Sequence, residues 1–556
     1  MQYSLNTIAL VMLLWSLPAL AENVDSVIHS RLYTNKAYNN PFLDEAIWVD
    51  CQGPGGDVIE DIPGFYNGSY GPWHEFAFRW SPRVPGNWTC TTSNQRNSNT
   101  SPDSTFNPQL HNRTVTKLIS PRSPTNLGAL RINEEGNKHY FRWTSGRYEQ
   151  LLGVEIDALF ALDLDVQENY DPYLPKTRDL IAKLKLAGFN EIYTNLYAHD
   201  TTWAAGNSSP CDVWPAPVSL WPGGNDAQDK TRFDLHYLKH VDRVLTLLFK
   251  EKMIVHLMIG VWNKQVNWDP PGSTGDELLY RYITARYNAV PNLLLDVGKE
   301  VWRIGNGYVR NKLDLIHAYN AHSAPVTAHD WDFDQDHPHL DFRADQKHEW
   351  EGELAEHLSA PWPEERPIAG AEYGYEQGDL PFPTFGNGWE AKRLLRRHLS
   401  VYNSVGHTNW YYEYMAWDQL CINENPLGFE LHSNVSLYAE NIPFWVLDPA
   451  RVELLGAPWS GAVARANPDK TIASIYNYAG NSMNIYLPND GIERRAIFFM
   501  PTLGYIQQVP VQQQADGTFY FQPPIPGGVV GDDRQYQLYI FNPELHQSLM
   551  LEQMGY

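Results

Sequence analysis

Positive charge is in short supply in this chain. Lys and Arg number 42 against 65 Asp and Glu, a net charge of −23 over 556 residues. Such a field repels polyphosphates, which argues against a nucleic-acid partner. No basic cluster suited to a strongly anionic polysaccharide stands out. Charged residues make up only 19% and hydrophobic ones 43%, a globular balance rather than a disordered one. Beyond the N-terminus no apolar run is long enough to span a bilayer, so no membrane span is expected. Internal repeats, low-complexity tracts and coiled-coil heptads are missing. So are G-x-S-x-G, H-E-x-x-H and Walker-type loops, which leaves serine-hydrolase, zincin and nucleotide chemistry without support. Cysteine is scarce, at 4 residues.

The N-terminus carries an apolar run, Ile8 to Leu17, followed by Ala19-Leu20-Ala21. The run is too short to cross a membrane, and the small-residue exit reads as a signal-peptide cleavage site, so residues 1–21 are expected to direct export. The chain is then secreted or periplasmic, in a compartment where four cysteines permit two disulfides. Cys51 and Cys90 fall in one predicted module. Cys211 and Cys421 fall in loops predicted to share a face. Sequence alone leaves both pairings open.

The length calls for about three domains. Residues 24–118 show short alternating stretches punctuated by Gly, Pro and Asn, such as EAIWVDCQGPGG and HEFAFRWSPRVPGNWTC, and predict a β-sandwich. Residues 125–452 alternate strands with amphipathic helices. In one unit Leu180, Ile181 and Leu184 share a helical face, Gly188 ends the helix, and EIYTNL follows as a strand. The next unit places Leu238, Val241, Leu245 and Leu248 on a helix before MIVHLMIGVW. Eight strands can be counted, from GRYEQLLGVEIDALF to HTNWYYEY, which predicts a (β/α)8 TIM barrel with its site at the strand C-terminal ends. Residues 455–545 return to short strands and predict a second β-sandwich.

Walking those strand ends collects Asp157, Asn195, His199, Trp262, Asn263, Glu300, His329, Asp330, Gln346, His348, Glu372 and the run Trp410-Tyr411-Tyr412. Glutamates at the ends of strands four and seven suit glycoside hydrolysis: one protonates the leaving oxygen, the other attacks the anomeric carbon or activates water. Neither role needs a metal or cofactor, and none is called for. Either glutamate alone could equally serve an ion pair; Glu300 directly follows Lys299. Aromatics reach 13%, and Trp203, Trp214 and Trp221 in the long loop near 198–234 could line a sugar subsite or pin the loop. Asp330, Asp332, Asp334 and Asp336 alternate as in a calcium loop, but Gln335 replaces the glycine at the sixth position, so the segment reads as a polar loop of the site.

Residues 137–420 resemble the apiosidase-like (β/α)8 barrel hydrolases. The pattern runs through HYFRW…GVEIDALF, AGFNEI, LKHVDRVL, ITARYNAVPNLLLDVGKE, PVTAHDWDF, DFRADQ and AEYGYE. The resemblance implies an acid/base at Glu300 and a nucleophile at Glu372, which opens the E-x-x-Y-E stretch that includes Tyr375. Glu376 is the alternative within that stretch. Where those enzymes carry Asp, this chain has Glu300, whose longer side chain reaches further. The first module, with GFYNG…FRWSPRVPGNW, resembles a sandwich of unknown function that precedes such barrels, and the last resembles one that follows them. The expectation is a secreted bacterial glycosidase acting on a poly- or oligosaccharide by double displacement. The alternatives are a non-catalytic carbohydrate-binding surface protein and a polysaccharide lyase.

Overall fold

The computed structural model describes residues 22–94, 96, 107–134, 137–164, 173–199, 218–225, 227–329, 337–346, 366–376, 388–411, 426–456 and 461–553. At its centre lies an eight-stranded parallel sheet. In chain order its strands are Leu152–Glu155, Glu191–Asn195, Ile254–Val261, Leu293–Lys299, Val326–Thr327, Arg343–Gln346, Ile368–Glu372 and Gly406–Trp410. Each pairs with its chain neighbour from the first strand to the fifth and from the sixth to the eighth, and the eighth returns to the first. A parallel bridge from His329 to Ala344 links the fifth to the sixth, so the sheet closes on itself. All eight expected strands are present. Their near-continuous burial is what parallel strands require when helices cover one face and the barrel core fills the other.

Six helices pack outside the ring among the described residues: Pro175–Leu186, Leu235–Lys250, Thr274–Tyr287, Asn306–Tyr319, Ala391–Val405 and Leu427–Ala439. The apolar stripe Leu238, Val241, Leu245 and Leu248 is fully buried, as its spacing predicts. The Asp234 carboxylate accepts the backbone N–H groups of His236 and Tyr237 and starts that helix. Gly188 takes φ 83°, the left-handed stop expected of it.

One end of the barrel is plugged. The strands Leu130–Ile132, Phe141–Trp143 and Tyr148–Glu149 form a small antiparallel sheet. Its Leu130, Phe141 and Trp143 pack against Met258, Leu294, Phe342 and Ala371 inside the ring. The strand C-termini lie at the other end.

Residues 22–120 form a seven-stranded sheet in the order Glu22–Asn23, Thr114–Ser120, Gly86–Ser93, Trp48–Gln52, Val58–Tyr70, Trp73–Trp80, Ile28–Thr34. Ile28–Thr34 alternates buried and exposed positions, one face on a core that holds Trp80 and Trp88. Cys51 and Cys90 sit opposite each other across a ladder and are disulfide-bonded. Cys211 and Cys421 lie outside the described residues. Towards the C-terminus a six-stranded and a two-stranded sheet share a core of Ile475, Phe498, Leu538 and Phe519. A helix over Pro543–Gln553 then follows where the sequence reading ended the module at 545. Asn542 explains it: its side chain accepts the N–H of Leu545, and Gln553 bonds back to the Tyr148 backbone. Among the described residues no helix is long and apolar enough to cross a membrane.

Candidate active site

Side chains alternate along a strand, so every second residue near a C-terminus points into the ring. On the first strand Glu155, and beyond it Asp157, do so. Both are fully buried. Asp157 meets Lys264 at 3.0 Å and accepts a hydrogen bond from Asn195 Nδ2 at 3.0 Å. From the fourth strand Lys299 reaches across the ring. Its ammonium donates to Glu155, lies 3.4 Å from Glu372 Oε2, 3.3 Å from the Tyr411 hydroxyl and 4.0 Å from Asp157. Glu372 ends the seventh strand. It accepts from the Tyr375 hydroxyl, and the His329 ring lies 4.0 Å from it. Gln346 is paired with Glu372 in register, on the strand that the His329 bridge joins.

The protonation of this cluster follows from its contacts. Burial pushes Glu155 well above the usual carboxyl range, Lys299 opposes it, and Asp157 and Glu372 add to it. Burial would raise Asp157 too, but Lys264 and Lys299 outweigh it and hold Asp157 low. The two neighbouring carboxyls are thus driven in opposite directions, Glu155 up and Asp157 down. Burial alone would lower Lys299; Glu155, Glu372 and Asp157 keep it charged. Burial and the nearby Lys299 hold His329 neutral. Burial and then Glu372 raise Tyr375, so it stays a phenol that donates to Glu372. Lys264 thus meets Asp157, and Lys299 lies between Glu155 and Glu372.

Glu300 occupies the turn just past the fourth strand, with φ 56° in the left-handed region. Its carboxylate accepts from Asn263 Nδ2 at 3.2 Å and from Arg303. The strand reaches this turn through Gly298, where a Cβ would lie 2.3 Å from the Gly260 carbonyl and 2.5 Å from the Trp262 ring. The missing side chain lets the Trp262 indole lie across strands three and four. Deeper in, His256 links Asp296 at 2.7 Å and Glu191 at 3.6 Å, and Asp296 accepts the N–H groups of Gly298 and His329. One buried carboxylate thus ties the backbone beneath Glu300 to that of His329.

Asp157, Asn195, Gln346, His329, Glu372 and Tyr375 therefore converge. Asn263 joins Glu300, and its neighbour Lys264 joins both halves through Asp157. His199 is half-buried four residues beyond Asn195. Asp330 and His348 lie outside the described residues, as do Trp203, Trp214, Tyr412 and the Asp332–Asp336 run. Trp410 corrects the sequence reading. It is fully buried, its indole donates to Glu376 at 2.9 Å, and its ring packs beside His398 and His432 on the helix side. Strand parity is the reason: Tyr411, one residue on, faces Lys299, so Trp410 must face away. Glu376 shares that outer position, bonded to Trp410 and the Gly428 N–H, while Glu372 faces the cluster. Sequence reasoning missed Glu155, Lys264 and Lys299; alternation from Asp157 would have pointed to Glu155. Among the described residues no set of three or more His, Cys, Asp or Glu gathers to hold a metal.

No family model matches the chain, nor does any curated protein. Solved structures do. A Bacteroides vulgatus protein, described only provisionally as a glycoside hydrolase, aligns over 92% of this chain and 98% of its own at 14% identity and TM-score 0.69. A glycoside hydrolase family 5 protein from the same organism aligns over 76% of this chain and 94% of its own at 17% identity and TM-score 0.55. A third, described as a glycoside hydrolase, covers 76% of this chain and 99% of its own at 15% identity and TM-score 0.56. At such identities the likeness is one of fold.

Proposed function

We propose that the chain is a secreted glycoside hydrolase that cleaves a poly- or oligosaccharide with retention. In this reading Glu372 attacks the anomeric carbon, and Glu300 first protonates the leaving oxygen and then activates water. The observation that carries it is the contrast between the two glutamates. Glu372 is fixed by Lys299 and Tyr375 in a buried polar cluster, as suits a nucleophile that must stay ionised. Glu300 stands at the rim on a turn, held by Asn263 and an exposed arginine, where it can exchange a proton with water. Asn195, His199, Asn263, His329, Gln346 and Tyr375 supply hydrogen bonds to sugar hydroxyls. The fold of the solved glycoside hydrolases and the apiosidase-like motifs support the same reading. The N- and C-terminal sheets are read as sandwich modules that scaffold the barrel, and residues 1–21 as the export signal.

The test is a hydrolysis screen over polysaccharides and aryl glycosides, with products sized by chromatography. Wild-type protein should release reducing ends without the ultraviolet absorbance of a lyase product. Glu300→Ala should lose most activity on sugar leaving groups yet retain it on an activated aryl glycoside, and azide should raise the latter. Equal loss on both substrates with no azide effect would remove Glu300 from the acid/base role.

A further inference from the structure

The ladder between strands four and five is short. Among the described residues it runs through Leu295–Val326 and Asp296–Thr327 and then ends. Past Thr327 the chain turns towards strand six, where His329 bridges Ala344. Strand four meanwhile runs on to Lys299. The two strands therefore part just below His329 on one and Glu300 on the other. The Asp296 side chain takes over where the ladder stops. Its Oδ1 accepts the Gly298 N–H at 2.8 Å and the His329 N–H at 3.0 Å, one from each segment. Its Oδ2 lies 2.7 Å from Nε2 of His256 on strand three, and Nδ1 of that ring lies 3.6 Å from Glu191 on strand two. All three side chains are fully buried. Burial would strip the His256 ring of its charge, but its contacts with Asp296 and Glu191 outweigh burial and raise it to about 9, so it is an imidazolium at neutral pH. Tyr193 stacks on that ring, 4.0 Å away at 21°. On strand one, Gly153 leaves room for the group, since a Cβ there would lie 2.8 Å from Glu191 Oε2 and 2.9 Å from the Tyr193 ring.

We propose that Asp296 and His256 are positioning residues that set where Glu300 stands relative to Glu372. One carboxylate anchors both backbones. Gly298 lies two residues before Glu300, and the His329 ring stands 4.0 Å from Glu372. A retaining pair works only over a narrow separation of its carboxyls, about 5–5.5 Å. Two strand ends that have left their ladder do not hold such a tolerance by themselves. His256, pinned between Glu191 and Asp296, keeps Asp296 ionised, and an ionised carboxylate is the stronger acceptor for two N–H groups. The role rests on the reading of Glu300 as acid and Glu372 as nucleophile.

The test compares Asp296→Ala and Asp296→Asn in the full-length protein, on whichever aryl glycoside or polysaccharide of the hydrolysis screen wild-type protein cleaves fastest. Asp296→Ala removes the acceptor and should lower kcat by about 100-fold, the cost of a misplacement near 1 Å. KM should stay within about threefold of wild type, because no group in contact with the sugar is lost. Asp296→Asn keeps an oxygen for the two N–H groups and turns its amide to a neutral His256, so it should regain most of that rate. A wild-type kcat in Asp296→Ala, or equal losses in both variants, would overturn the role, whatever either does to the melting temperature. If Asp296→Ala does not fold, amide hydrogen exchange of wild-type protein decides. The Gly298 and His329 N–H groups should exchange as slowly as the core of strand four, and fast exchange at either would overturn the anchor. Slow exchange at both in a protein that cleaves nothing would instead overturn the hydrolase reading, and with it the catalytic purpose of the anchor.

Discussion

Lys299 is the residue on which the site balances. It is buried among Glu155, Asp157 and Glu372 and touches all three. Removing it leaves three carboxyls against Lys264 alone, and a carboxylate stripped of its counter-charge takes up a proton more readily. Lys299→Met should therefore lower kcat by about 100-fold, the lower end of what one positioned proton-transfer group contributes, and move the acid limb of the pH profile to higher pH. An unchanged profile would make Lys299 a packing residue. Glu376 makes the contrasting case. Burial pushes it up to about 7, against the lowering effect of bonds from the Gly428 N–H and Trp410. A carboxyl raised on folding stabilises the fold fully below its unfolded value, and that contribution is lost as pH rises through about 7. Glu376→Gln should then match wild type near pH 4 and exceed it at pH 8 by on the order of 3 kcal/mol, read from urea unfolding at both pH values. These two residues also mark what the sequence could reveal. Glu372 against Glu376 was open because four residues of a strand and its turn can face either way. Lys299 read as a neighbour for Glu300, because adjacency in sequence suggests pairing, whereas adjacent strand residues point to opposite sides.

At the level of elements, the eight barrel strands were legible because each is an apolar run ending in a polar residue. Parity within a run was harder to read. Trp410 was placed in the site and lies outside it because a slip of one residue exchanges the two faces of a strand. The short fifth strand, Val326–Thr327, reaches the sixth through the His329 bridge and through bonds to Asp341 and Phe342, contacts no local pattern encodes. Gly298 sets the turn to Glu300. Its φ of 152° and its contact with the Gly260 carbonyl mean that Gly298→Ala must shift backbone, not a flexible tip. We expect Gly298→Ala to destabilise the barrel by about 1–3 kcal/mol and to cut activity further than the melting temperature alone would suggest, since Lys299 and Glu300 both follow it. In the N-terminal sheet, reducing Cys51–Cys90, which closes a separation of 39 residues, should cost about 2–4 kcal/mol. Thermal melts with and without reductant would read this as an early transition.

Over the whole molecule, a largely buried charge knot helps bind the N-terminal sheet to the barrel. Asp242 on the helix Leu235–Lys250 meets Arg79 of the sheet and Arg286 of the helix Thr274–Tyr287, each at 2.6 Å. Arg79 also donates to the Arg286 carbonyl and Arg286 to Asn67. Burial opposes the charge on Asp242, but the two guanidinium groups outweigh it and hold the carboxyl far below its ordinary range. Asp242→Asn leaves two arginines facing each other, a loss of about 3–5 kcal/mol for a fully buried pair and less here because Asp242 is partly exposed. Melting should split into two transitions as sheet and barrel uncouple; a single transition at the wild-type temperature would show that apolar contacts suffice. The central claim concerns the barrel alone, that Glu372 forms a bond to the sugar while Glu300 serves as the acid. Incubation with a 2-deoxy-2-fluoro glycosyl fluoride of the sugar found in the hydrolysis screen, followed by peptide mass mapping, tests it directly. The account predicts one glycosyl adduct on Glu372. An adduct on Glu376, or no adduct together with a first-formed product of inverted anomeric configuration, would contradict it.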